Sequence, residues 1–128
     1  MADNKNDRNL PFCASPLYYD EKIFLIKDGG IFTSLDAKSG SVLKQGRLPV
    51  TGSYYSSPVA GDGKVYTISE RGWLTVVSAQ GNWEVLSTTE FGEDAYATPA
   101  LLDGKIYLRT TKHLYCFGAP DAPPAKTP

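Results

Sequence analysis

Tyr55-Ser-Ser-Pro-Val-Ala-Gly-Asp-Gly-Lys-Val-Tyr-Thr-Ile-Ser69 is the stretch that decides the fold, because a copy of it stands on either side. The earlier copy is Cys13-Ala-Ser-Pro-Leu-Tyr-Tyr-Asp-Glu-Lys-Ile-Phe-Leu-Ile-Lys27, and the later one is Tyr96-Ala-Thr-Pro-Ala-Leu-Leu-Asp-Gly-Lys-Ile-Tyr-Leu-Arg-Thr110. Pro16, Pro58 and Pro99 recur at spacings of 42 and 41 residues. A period of about 40 to 45 residues, filled with short strands and turn residues, is the signature of propeller blades.

Within each copy the strands follow from the punctuation. In the first, Ala14 to Tyr19 reads as a strand, Asp20-Glu21 as a tight turn, and Lys22 to Lys27 as a strand apolar on both faces, as a sheet sandwiched between neighbours requires. Asp28-Gly29-Gly30 supplies a hairpin turn, Ile31 to Ala37 the third strand and Ser41 to Leu48 the fourth. The second copy repeats this with strands near Ser56 to Ala60, Lys64 to Glu70, Trp73 to Ala79 and Trp83 to Phe91. Ile23, Val65 and Ile106 correspond, as do Leu35, Val77 and Phe117, so equivalent side chains are expected to face equivalent neighbours. The third copy gives Ala97 to Leu102, Lys105 to Thr111 and His113 to Gly118, and is one residue shorter between Arg109 and Phe117. The fold class is therefore all-β, with about three four-stranded antiparallel meanders at 13–54, 55–95 and 96–118. Residues 1–12 read as a flexible segment and possible closing strand. The proline-rich tail 119–128 reads as disordered and unable to pair, which leaves the third blade without its outermost strand.

Closed propellers have about four to eight blades, so three leave a face and a strand edge without a neighbour. The chain is expected either to be part of a larger propeller or to close a ring by association with itself, two chains giving six blades. Other partners are bounded by charge. With 13 basic and 14 acidic residues, and the basic ones scattered, there is no electrostatic footprint for nucleic acid. No apolar run approaches the roughly 18 residues of a membrane span, so membrane insertion is not expected, and the polar start Met1 to Arg8 lacks the apolar stretch of a signal peptide. Cys13 and Cys116 fall in the first and third copies, and are expected to be separate reduced thiols.

The repeat, small-Ser/Thr-Pro, an apolar pair, Asp-Gly-Lys, Val/Ile-Tyr and then Leu-Tyr-x-Phe, resembles the pyrroloquinoline-quinone-like (PQQ-like) β-propeller family over residues 13–118. Gly104 to Gly118 and Leu35-Asp-Ala-Lys-Ser-Gly-Ser-Val-Leu43 are its most family-like stretches. The resemblance implies C-terminal blades of such a protein and a periplasmic or secreted location. It spans two kinds of function, quinoprotein alcohol dehydrogenases and the β-propeller lipoprotein of the machine that assembles outer-membrane barrels. The family repeat usually ends in a tryptophan that docks one blade onto the next; here Lys44 takes that place in the first blade, and Trp83 comes earlier in the second.

A quinone enzyme needs a calcium held by oxygen ligands, a carboxylate base and a stacking platform inside a complete ring. Three blades cannot enclose these, so neither a cofactor nor catalytic residues are assigned. His113 has no Cys, His or carboxylate partner at ligand spacing and reads as a solvated turn residue rather than a metal ligand, and Glu90, Glu93 and Asp94 read as solvated charges. Aromatic residues carry more. The blade linkers and the second-to-third-strand turns emerge on one face, which would present Tyr54, Tyr55, Arg71, Trp73, Tyr96 and His113 as a recognition surface, since Tyr, Trp and Arg dominate binding hot spots. Tyr55 and Tyr96 are equivalent and read as blade-packing residues; Tyr54, Arg71 and Trp73 are less easily explained that way. The expectation is a non-catalytic scaffold or module binding another protein or a ligand. The alternatives are a fragment of a PQQ-dependent oxidoreductase and a propeller fragment with no function of its own.

Overall fold

The computed structural model describes residues 14–102, 104–117 and 125–127, and among them there are twelve strands and no helix. The first blade is β1 (Leu17–Tyr19), β2 (Lys22–Lys27), β3 (Ile31–Asp36) and β4 (Val42–Arg47). The second is β5 (Val59–Gly61), β6 (Lys64–Ile68), β7 (Trp73–Ser78) and β8 (Val85–Glu90). The third is β9 (Ala100–Leu102), β10 (Lys105–Arg109), β11 (Leu114–Phe117) and β12 (Ala125–Thr127). Each sheet is an antiparallel meander in chain order.

The repeat register holds to the residue. Ile23 pairs with Leu35, Val65 with Val77 and Ile106 with Phe117, so the three copies fold alike. The innermost strands are shorter than the sequence suggests, three residues each. The residues before them have other partners. The Ser15 N–H donates to the Ser57 hydroxyl at 2.8 Å and the Ser57 N–H to the Thr98 hydroxyl at 2.9 Å. The Ser/Thr-Pro step of the repeat is thus a rung from one blade to the next.

The outer strands carry a shared irregularity. Register shifts between Ser34 and Leu35 opposite β4, and between Val76 and Val77 opposite β8, which are equivalent positions. The extra residues are Leu43 and Leu86, both about half exposed.

The tail reads in sequence as unable to pair, but Ala125–Thr127 forms β12 and pairs with β11 through Leu114↔Thr127, Tyr115↔Lys126 and Cys116↔Ala125. These three residues contain no proline, so each can use its N–H, although the strand is half the length of β4 and β8. The possible closing strand at 1–12 lies outside the described residues, as does Cys13. Cys116 is a free, half-buried thiol.

Among the described residues, two cores lie between the blades. Phe24, Ile26 and Phe32 of the first blade cluster with Val65, Val77 and Trp83 of the second, and Ile68 and Leu74 of the second cluster with Leu108 of the third. Trp83 organises the first core. It sits just before β8, is 4% exposed, and meets Phe32 edge-on at 5.0 Å between ring centroids. Its indole N–H donates to the Lys44 carbonyl at 3.2 Å, while the Lys44 ammonium donates to the Trp83 carbonyl at 2.6 Å and lies 4.3 Å from the ring centre. Lys44, which stands where the repeat it resembles has a docking tryptophan, is therefore the partner of a tryptophan supplied from the other blade. Gly46 leaves room for it, since a Cβ there would stand 3.3 Å from the indole ring.

Candidate functional site

The linkers and turns do share a face, and backbone hydrogen bonds stitch them together. The Gly29 N–H donates to Gly52 O at 2.6 Å, and those of Glu70, Ala95 and Thr111 to Ser53 O, Glu70 O and Asp94 O, each at 2.8 Å. Each linker is clamped between the turns of the blades it joins, so side chains on this face sit on a fixed backbone.

Tyr54 is not on that surface. It is 1% exposed in the first inter-blade core, where its hydroxyl donates to Val50 O at 2.8 Å and its N–H donates to an Asp28 carboxylate oxygen at 2.8 Å. Burial pushes its phenol well above the ordinary tyrosine range. The reason is local: the Asp28 carboxylate draws the linker backbone inward at this residue, so Tyr54 points in and Tyr55 points out.

Tyr55 and Tyr96 are 43% and 50% exposed, with ring centroids 5.5 Å apart, forming a two-ring shelf across the second blade boundary. The Tyr96 hydroxyl donates to Glu70 Oε2 at 3.1 Å, which raises the pKa of that phenol. They touch each other, as equivalent packing residues would, and still present half their surface to solvent.

Arg71 and Trp73 lie apart from this shelf, lining a cavity of about 540 Å³ with Pro49, Val50, Thr51 and Thr88. Arg71 is exposed and has no hydrogen-bonded or ion-paired partner among the described residues.

His113 departs most from the sequence reading. Its Nδ1–H donates to the Glu93 carboxylate at 2.7 and 2.9 Å, and the Thr110 hydroxyl donates to the same carboxylate. The His113 N–H in turn donates to the Thr110 hydroxyl oxygen at 3.0 Å. The side chains of His113 and Glu93 are 27% and 16% exposed. The expectation of a solvated histidine and solvated carboxylates is thus overturned for His113 and Glu93: the second linker brings Glu93 across to the third blade, 20 residues away in sequence. The signal available in the sequence was the repeat itself. Aligned on Tyr55 and Tyr96, Glu93 stands where the first linker has Gly52, and aligned on Val77 and Phe117, His113 stands where the second blade has Trp73. Two departures from the repeat at facing positions form one contact.

The meanders, their register and their inter-blade rungs define blades of a β-propeller, and comparison with solved structures shows the same fold. The chain matches BamB from Moraxella catarrhalis with a TM-score of 0.70 at 20% identity, over 87% of this chain and 34% of that one. It matches the quinohemoprotein alcohol dehydrogenase ADHIIG from Pseudomonas putida HK5 at 0.64 and 15% identity, over 84% of this chain and 19% of that one. It matches a europium-containing methanol dehydrogenase at 0.67 and 12% identity, over 85% and 23%. All three are PQQ-like β-propeller proteins, so the fold class expected from the sequence is the one found. The chain spans about a third or less of each of these structures. No protein-family model and no curated protein matches the sequence.

Proposed function

We propose that the chain is a non-catalytic propeller module that serves as a scaffold or binding unit and completes its ring by blade-to-blade association with a second copy. The observation that carries this is the position of two exposed side chains. Tyr18 and Leu102, at 64% and 61%, are the most exposed large apolar residues among those described. Tyr18 is equivalent to Leu101, and Leu102 to Gly61. Between the second and third blades, that pair of positions is in contact: a Cβ on Gly61 would stand 2.9 Å from Leu101 Cδ1. If the third blade of one copy docks on the first blade of another as the second docks on the third, Leu102 meets Tyr18. The rung of hydroxyls supports the same geometry, since Thr98 ends the ladder among the described residues and Ser15 of a second copy supplies the matching hydroxyl.

Two kinds of neighbour share the fold, one of them a dehydrogenase class, and the residues described favour the scaffold reading. Trp83 is held between blades and Trp73 lies beside a cavity lined by a linker, so neither is placed as a stacking platform for a quinone, and among the described residues no three His, Cys, Asp or Glu side chains gather as a metal site. A periplasmic or secreted location is part of the proposal and rests on the resemblance of the repeat. The Tyr55–Tyr96 shelf, with Glu70 beside it, is proposed as the contact for a partner protein.

Light scattering on the full chain tests the assembly. Twice the 13.9 kDa chain mass is expected, and Leu102→Asp should halve it with the strand signal in circular dichroism retained. A folded monomer of the unaltered chain overturns the assembly.

A further inference from the structure

We propose that the cavity bounded by Arg71 and Trp73 is a binding site for a carboxylate group carried on a small apolar body. The inference deepens the binding-module reading above and rests on it. Its basis is a comparison the protein makes with itself, between two quasi-equivalent gaps where a linker passes over the blade that follows.

Trp73 and His113 occupy the same place in their blades. Each lies four residues before the equivalent pair Val77 and Phe117, and each donates its backbone N–H to a hydroxyl at the end of the preceding strand, Trp73 to Ser69 at 3.2 Å and His113 to Thr110 at 3.0 Å. In the later gap, the linker residue Glu93 fills the space before His113 and takes hydrogen bonds from His113 and Thr110. The earlier linker has Gly52 in place of Glu93, and the neighbouring Thr51 lines an open volume of about 540 Å³ beside Trp73. That is the size range of a site for a small molecule or a short piece of peptide, about 300–1,000 Å³.

What the earlier gap lacks is the carboxylate, and what it offers is a set of groups that would receive one. Among the described residues of the lining Arg71 carries the one formal charge, and a guanidinium grips a carboxylate with two parallel N–H donors. Thr51 and Thr88 add hydroxyls, while Pro49, Val50 and the Trp73 ring supply apolar walls for the group that bears the charge. The nearest carboxylate along the strand is Glu90, which pairs across from Trp73 in the β7–β8 ladder; it makes no ion pair with Arg71 among the described residues. Glu90 opposes an incoming anion, so its neutralisation should tighten binding.

The carboxylate could be a peptide C-terminus or an acidic side chain, and the probes separate the two. Acetylglycyl-leucine, its C-terminal amide, and acetylglutamyl-leucine amide are titrated into the full chain while the amide resonances of Arg71, Trp73 and Thr88 and those of Tyr55 and Tyr96 are followed by NMR. Saturable shifts at the first group are expected from at least one of the two charged probes, with the neutral amide weaker by about tenfold or more. Whichever charged probe binds identifies the source. Arg71→Gln should bring the charged probes down to the level of the amide, Arg71→Lys should keep part of the difference, and Glu90→Gln should tighten binding. Thr51→Glu, which tethers a carboxylate in the gap as Glu93 does in the other, should block it. Equal binding of amide and carboxylate, an unchanged titration in Arg71→Gln, or no shift at millimolar probe overturns the site. Because the shelf and the oligomeric mass are read separately, a failed titration with an intact dimer rejects the cavity alone, and a monomer rejects the assembly.

Discussion

Replacing Trp83 by Ala tests the structural core of this fold, the reciprocal lock between the first two blades. Three losses add. Truncating a buried tryptophan costs about 3–5 kcal/mol for transfer and cavity together, and Trp83 at 4% exposure belongs in that class. The Lys44 carbonyl loses its indole donor, worth about 0.5–1.5 kcal/mol, and the Ser34 hydroxyl 3.4 Å away has its one proton on the Gly81 carbonyl at 2.6 Å. The Lys44 ammonium, 4.3 Å from the ring centre, loses about 0.5–1 kcal/mol of cation–π attraction while keeping the Trp83 carbonyl. A loss of about 4 kcal/mol or more is expected, which is a large part of the roughly 5–15 kcal/mol available to a domain. With a urea slope near 2 kcal/mol/M, the midpoint falls by about 2 M at unchanged slope. The assay is urea unfolding followed by circular dichroism at one fixed protein concentration, because stability and association are linked in an oligomer. Trp83→Phe, which keeps an aromatic ring beside Phe32 but not the donor, should cost about 1–2 kcal/mol, less than half as much. A loss below about 1 kcal/mol in Trp83→Ala would refute the claim that this side chain docks the blades.

Further outcomes follow from the same geometry. Thr67 and Thr75 are fully buried cross-strand neighbours whose hydroxyls have no hydrogen-bond partner among the described residues, so Thr75→Val should stabilise by about 1 kcal/mol in thermal unfolding. Glu21 holds a left-handed φ of 61° where the equivalent residue of the second blade is Gly63, so Glu21→Gly should also stabilise, by up to about 1 kcal/mol, its exposed contact with Lys38 at 4.0 Å being worth little. Glu93→Gln leaves His113 facing a neutral amide and should cost about 1–3 kcal/mol, read as a lower melting temperature and faster amide exchange at Thr111, whose N–H is bonded to Asp94. Burial raises the folded-state pKa of Tyr54 above its ordinary 10.0, so its contribution is complete below pH 10 and is lost as pH rises beyond it. Tyr54→Phe should therefore blunt the alkaline loss of stability, measured by unfolding at a series of pH values above 10, and a parallel loss in both proteins would contradict the burial.

Much of this architecture is legible in the sequence because a repeat is its own alignment. Three copies of Ser/Thr-Pro followed by Asp-Gly-Lys, or Asp-Glu-Lys in the first, locate the inner hairpins, and the equivalence of Ile23, Val65 and Ile106 fixes the register that the ladders show. What escapes the sequence is contact across blades. Tyr54 and Tyr55 are adjacent tyrosines, and the contacts that hold Tyr54 inward, its N–H on the Asp28 carboxylate and its hydroxyl on the Val50 carbonyl, are not visible in their order along the chain. The size of Tyr54 in one linker against Ala95 in the next looks like the freedom of a surface position, whereas both are buried. The sequence reads Trp83 as the first residue of a strand, whereas β8 begins at Val85 and leaves it outside the ladder, and its partner Lys44 looks like the loss of a docking residue until the two are seen together. His113 and Glu93 fail for a related reason, since ligand-spacing rules search along one segment while the second linker crosses between two. The tail's average composition hides its strand, since three residues without proline suffice for a short edge strand.

The paired leucines at the rim, Leu43 and Leu86, bear on how such a molecule stays dispersed. An outer strand six residues long, left straight, would be a template on which any passing extended chain could add itself, layer upon layer, as in fibrils. One surplus residue at the same point of both blades kinks the ladder and breaks that template. Removing either leucine by deletion would straighten the border of its sheet, and the penalty would then be paid in solubility during synthesis rather than in the melting point of the finished protein.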